Sequence, residues 1–168
     1  TRVSSLAPLS SLSNLETIDF SGTLLDSLDG LNDLNNLKTI YIDRTGVDDL
    51  EPVMDCKNIS VIYCDNTKIG KADIDNYLDQ HPGCLVIYQT SILKNWWLGV
   101  PAPWKSAFRT HTALEDTPTR EQLHTLAALD SLDLSGLREI TSLAPLTTLH
   151  RLEILILANG SLQDVSPL

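Results

Sequence analysis

The segment LETIDFSGTLLDSLDGL, starting at Leu15, returns 22 residues later as LKTIYIDRTGVDDLEPV and once more as ISVIYCDNTKI. Leu15, Leu37 and Ile59 share one phase of this period, Ile18, Ile40 and Ile62 the next, then Phe20, Ile42 and Cys64, then Thr23, Thr45 and Thr67. A unit of this length is too small to enclose a core, so it buries its apolar side only by stacking on its neighbours. Within TIYID the apolar residues alternate: Ile40 and Ile42 fall on one face and Thr39, Tyr41 and Asp43 on the other, as in a strand. Equivalent strands stacked in this way make a parallel sheet. Segments such as VDDLEPV and ITSLAPL place Leu or Val at threes beside Pro, which suits short 3₁₀ turns on the opposite side.

The pattern L-x-x-L-x-L-x-x-T/N resembles leucine-rich repeats of the short class, like those of bacterial internalins, over about residues 3–90 and 120–168. The resemblance implies an α/β solenoid, a horseshoe with a parallel β-sheet on one face and 3₁₀ turns on the other. It implies a bacterial origin and a strand face that binds proteins. It also places Thr23, Thr45, Thr67 and Thr90 where the family usually carries an asparagine ladder.

The fourth unit departs from the period. KADIDNYLDQHPGCLVIYQT has Asp73 as a helix cap, Ile74, Tyr77 and Leu78 on one helical face, and a break at Pro82-Gly83 before the strand CLVIY. Leu85 and Ile87 take the inward places in this reading. The stretch from Ser91 holds all three tryptophans, and Trp96, Trp97, Trp104 and Phe108 read as large apolar covers for the end of a stack. A further helix runs from Pro118-Thr119 to Ala128 and bears Leu123, Leu126 and Leu129. Repeats resume with Leu132 and Leu134, then Leu155 and Leu157. Inward positions at 18, 40, 62, 85, 132 and 155 give steps of 22, 22, 23, 47 and 23, so the Trp-rich segment takes the length of one missing repeat. The expected organisation is a first array over 1–90, a helical Trp-rich cap or insert over 91–130, and a second array over 131–168. One interrupted array and two arrays joined by a linker both satisfy these spacings. Leu6 and Leu9 near one end match the phase of Val165 and Leu168 at the other, 137 residues separating VSSLAPL from ITSLAPL. Unfinished ends of this kind predict a fragment or end-to-end stacking of copies.

Charge and motifs narrow the function. Twelve Lys+Arg against 22 Asp+Glu give a net charge of -10, which disfavours nucleic acid and anionic membrane surfaces. No apolar run approaches the roughly 20 residues of a membrane span. The three cysteines, Cys56, Cys64 and Cys84, form no CxxC pair and read as free buried thiols. The loop from Asp65 to Asn76 has Asp first and Gly sixth, as in a calcium loop, but Ile69 stands at a ligand position and Asn76 replaces the bidentate Glu. The triplets at Asn58 and Asn159 fit N-glycosylation and also arise by chance. No phosphate loop, nucleophile elbow or metalloprotease motif is present, so the expectation is a non-catalytic chain without cofactor or metal.

What remains is the strand face. The sequence phase puts Asp19, Tyr41, Tyr63 and Val86 in one outward column and Ser21, Asp43, Asp65 and Tyr88 in the next. Tyr buries large area at small entropic cost and is enriched at binding hot spots. The partner-binding candidates are therefore Asp19, Tyr41, Asp43, Tyr63, Asp65, Val86 and Tyr88, facing an unidentified protein. The alternatives are a structural spacer that stacks through its ends, and the recognition part of a larger enzyme or surface adhesin.

Overall fold

The computed structural model describes residues 6–158. Val3, Asn159, Val165 and Leu168 lie outside the described residues. The chain forms two compact units, Thr1–Gln89 and Thr90–Leu168.

In the first unit, β1 (Thr17–Asp19), β2 (Thr39–Tyr41), β3 (Val61–Tyr63) and β4 (Leu85–Ile87) make one sheet in that order, every pair parallel. Ile18, Ile40 and Ile62 are in register, so the sequence period is the strand register. The ladder runs on past the strands. Phe20 N–H donates to Tyr41 O, Ile42 N–H to Tyr63 O and Cys64 N–H to Ile87 O, each at 2.8 Å. Beyond them Gly22, Arg44 and Asn66 all take left-handed backbone, with φ of 69°, 57° and 59°. Only the first is glycine, the residue that adopts this conformation without steric cost. In the first two of these turns Gly22 and Arg44 N–H each reach the next repeat's carbonyl, Asp43 O and Asp65 O, at 2.8 Å.

Leu31, Leu34, Leu37, Ile40, Ile42, Val47 and Val53 have no exposed surface and fill the space behind the sheet. Each such side chain contributes about 1.5–3 kcal/mol through burial. Short 3₁₀ turns at Ala7–Leu9 and Glu51–Val53 line the other side. Pro8 and Pro52 sit second in these turns, within the first turn, where a helix start leaves the N–H groups unpaired in any case.

A polar ladder does tie the repeats together, but asparagine carries it, just before the strands. Asn36 Nδ2 donates to Ser13 O at 2.8 Å and Asn58 Nδ2 to Asn35 O at 2.6 Å, each bridging to the preceding repeat. Asn14, Asn36 and Asn58 recur at the 22-residue period, and that signal was available in the sequence. Thr45 and Thr67 act within their own repeats, their hydroxyls donating to Ile42 O (2.7 Å) and Cys64 O (2.9 Å). Thr90 does not belong to this series. It begins the second unit, where its hydroxyl meets His124 Nε2 at 3.2 Å.

Helix α1 (Lys71–Gln80) is capped by Gly70, not by Asp73. Asp73 occupies the third helical position and its carboxylate accepts the Gly70 N–H at 3.2 Å. Ile74 and Tyr77 are fully buried and Leu78 packs beside them on the same core.

The fourth strand corrects the expected register. Ile62 pairs with Val86, so the step is 24 residues rather than 23, and the inward residues are Val86 and Tyr88 instead of Leu85 and Ile87. Val86 is 4% exposed and Tyr88 packs against the first core. A shift of one residue exchanges the two faces of a strand.

In the second unit, β5 (Ser131–Asp133) and β6 (Ile154–Ile156) pair in parallel, with Leu132 opposite Leu155. Helices α2 (Thr90–Gly99), α3 (Ala102–His111) and α4 (Arg120–Ala127) share a core with them. Phe108 lies at its centre, its ring 5.9, 6.4 and 5.2 Å from Trp96, Trp97 and Trp104. Leu123, Leu126, Leu132 and Leu143 complete the same core. Helix α4 starts as the sequence indicates: Thr119 Oγ1 accepts the Gln122 N–H while Gln122 Oε1 accepts the Thr119 N–H. Ile154 and Ile156 are 56% and 45% exposed on the outward face of β6.

Candidate functional site

The strand face of the first unit carries two rows built by the register. In the first, Asp19, Tyr41, Tyr63 and Ile87 follow one another across β1 to β4. Tyr41 and Tyr63 are half-buried and stack face to face, ring centroids 4.4 Å apart and planes within 6°. Their alignment follows from parallel pairing at equal phase, which sets identical side chains one above the other. Ile87 ends the row fully buried, and Val86 does not take part in the face.

In the second row, Asp43 and Asp65 follow the tyrosines by two residues. Asp43 is 6% exposed, and its carboxylate accepts the Asp65 N–H at 2.8 Å. It therefore holds the turn of the next repeat instead of offering a free charge. Asp65 is half-buried and sits where that bond leaves it. The row does not continue to Tyr88, which the register turns inward; burial raises its phenol above the ordinary value.

Asp19 opens the first row and is exposed. Its carboxylate accepts the Ser21 N–H at 2.8 Å, and that bond lowers its pKa below the ordinary value. Asp133 repeats the arrangement on β5, bonding the Ser135 N–H at 2.8 Å with the same downward shift, which its partner Ser135 causes. Just before β1 and β2, Glu16 and Lys38 pair at 2.8 Å, both side chains more than half exposed. An ion pair of this kind contributes about 0–1 kcal/mol.

The sequence-predicted candidates thus divide. Asp19, Tyr41, Tyr63 and Asp65 are brought to one face, Asp43 supports it from below the surface, and Val86 and Tyr88 belong to the core. The face thus offers aromatic area edged with carboxylate.

The thiols offer little chemistry. Cys56, Cys64 and Cys84 are free and buried, and burial raises all three, Cys84 to about 12. Among the described residues no group of three or more His, Cys, Asp or Glu is placed to hold a metal ion. Ile69, in the calcium-like loop, is 9% exposed and packs in the first core. Among the described residues no helix is long and apolar enough to cross a membrane.

No protein-family model matches the chain, and no curated protein matches it in sequence. Among solved structures it is similar to an internalin C2 from Listeria monocytogenes, at 18% identity and a TM-score of 0.45, covering 92% of this chain and 46% of that one. It is also similar to an internalin, InlF, from the same species, at 17% identity and a TM-score of 0.49, covering 99% of this chain. The chain spans less than half the length of either, 46% and 48% respectively.

Proposed function

We propose that this chain is a non-catalytic protein-recognition module whose contact surface is the strand face of the first unit. The observation that carries this reading is the Tyr41–Tyr63 stack, 4.4 Å between rings, half-buried on the outward face of the sheet in the rows that hold Asp65 and Asp19. Two stacked phenols are already ordered, so a partner that covers them loses little side-chain entropy. The acidic edge matches the net charge of -10 and selects a partner with basic and apolar groups together. Asp43 acts indirectly, by holding the Asp65 backbone.

The test is capture of partners by the intact chain beside a Tyr41→Ala/Tyr63→Ala variant of unchanged circular dichroism. A partner retained by the first and lost by the second, with affinity that falls as salt rises, supports the face. A partner bound equally by both, with no salt dependence, removes it.

A further inference from the structure

The second unit contains a cleft of about 420 Å³ lined by Trp96, Trp104, Pro101, Pro103 and Pro145, with Glu139 at its edge; Trp96 is half-buried and offers the accessible indole, while Trp104 is 3% exposed and forms the floor. This is the volume of a pocket for a small ligand or a single large side chain with its flanking backbone. The walls are held in place. Trp104 Nε1–H donates to Ser142 O at 3.1 Å, tying α3 to the segment before the 3₁₀ turn Ala144–Thr148, and proline rings have little freedom to lose.

One charge of the cleft is unmatched. Glu139 is exposed, and among the described residues it forms no ion pair. It is the single charged residue of the lining. Indole faces attract cations through their quadrupole, and this unit already shows the effect on another ring, with Lys105 Nζ 5.4 Å from the Trp97 centroid.

We propose that this cleft binds an arginine side chain presented by an extended segment of a protein partner. Aromatic walls with one carboxylate and no cation in the lining are complementary to a group that is flat, apolar on its faces and positively charged at its edge. Guanidinium meets all three requirements. It stacks on indole, makes forked bonds to a carboxylate, and is more weakly hydrated than an ammonium, so it leaves water at smaller cost than lysine. The site lies wholly within the second unit and is independent of the tyrosine face, so either reading can fail alone.

All three tryptophans of the chain lie at 96, 97 and 104, so tryptophan fluorescence, excited to the red of tyrosine absorption, reports on this region alone. The intact chain is titrated with the peptide acetyl-Gly-Arg-Gly-amide, and with the same peptide carrying citrulline or lysine. The expected result is a saturable change with Kd below about 1 mM, weakened at least about tenfold for citrulline and clearly for lysine. Glu139→Gln, a surface change checked by circular dichroism, is expected to weaken the arginine peptide by a similar factor, with the indole N–H resonances of Trp96 and Trp104 no longer shifting at low peptide. Absence of saturation up to about 10 mM, equal response to citrulline, or indifference to Glu139→Gln overturns the site. Equal binding of the lysine peptide overturns the assignment to arginine.

Discussion

The rings of Tyr41 and Tyr63 lie 4.4 Å apart and within 6° of parallel, 22 residues apart in the chain. That is closer than the roughly 4.7–4.9 Å between the strands that carry them, so the phenols lean together. We expect this contact to be measurable without any partner. In a double-mutant cycle of urea unfolding, Tyr41→Ala and Tyr63→Ala should show a coupling of about 0.5–1.5 kcal/mol. Additive losses would mean that the two rings stand independently.

Asp43 should behave as a structural residue. Its carboxylate is 6% exposed and bonded to the Asp65 N–H. Asp43→Ala leaves the part-buried Asp65 N–H without its acceptor and should destabilise by about 1 kcal/mol or somewhat more. Asp43→Asn keeps an acceptor and should lose less. Asp65→Ala, at the half-buried neighbouring position, should affect partner affinity more than stability. Chemical denaturation of the three variants checks the order.

The register of β4 is tested by Val86. It is 4% exposed and pairs with Ile62, so Val86→Ala should cost about 1–3 kcal/mol, a smaller version of the about 2–5 kcal/mol expected for Ile40→Ala in the fully buried centre. A urea midpoint unchanged by Val86→Ala would return this residue to the surface.

Asn58 links two repeats through one amide bond to Asn35 O. Both Asn58 and Ser60 bond the preceding repeat from exposed positions; Ser60→Ala, which only removes a bond, should cost about 0.5–1.5 kcal/mol, and Asn58→Asp, which sets a carboxylate oxygen against the Asn35 carbonyl, should cost more than that. Thermal unfolding of both variants separates a load on the ladder from a general surface effect.

The thiols predict both reactivity and pH dependence. Cys56, Cys64 and Cys84 are buried, so the native chain should resist a thiol reagent at pH 8 while the unfolded chain labels at all three. Burial raises Cys84 from the ordinary 9.0 to about 12, with Cys64 shifted in the same direction. Above pH 9 the unfolded chain releases protons that the native chain keeps, so stability should be full below that pH and fall as pH rises towards 12. Cys84→Ser, whose hydroxyl does not titrate there, should flatten part of that decline.

Periodicity by itself determined the repeat. Ile18, Ile40 and Ile62 recur at one spacing, and a recurring apolar phase can be buried at every repeat only if equivalent strands stack in parallel, which is the observed register. The side-by-side placement of Tyr41 and Tyr63 follows from the same arithmetic. Local signals likewise located α4, through Pro118-Thr119 at its start and the spacing of Leu123 and Leu126, and the structure adds that Thr119 and Gln122 cap each other. The fourth strand was not legible, since its phase depends on how many residues the turn from His81 to Gly83 absorbs after α1. One residue there decides whether Val86 or Ile87 faces the core. Whether Asp43 is an exposed charge or a buried strut was equally beyond the sequence, because an aspartate at an outward strand position reads the same in both cases. Only the approach of the next repeat's Asp65 N–H settles it. The cleft between Trp96, Trp104 and Pro145 belongs with these: its walls come from segments about 40–50 residues apart, and nothing short of tertiary packing brings them together.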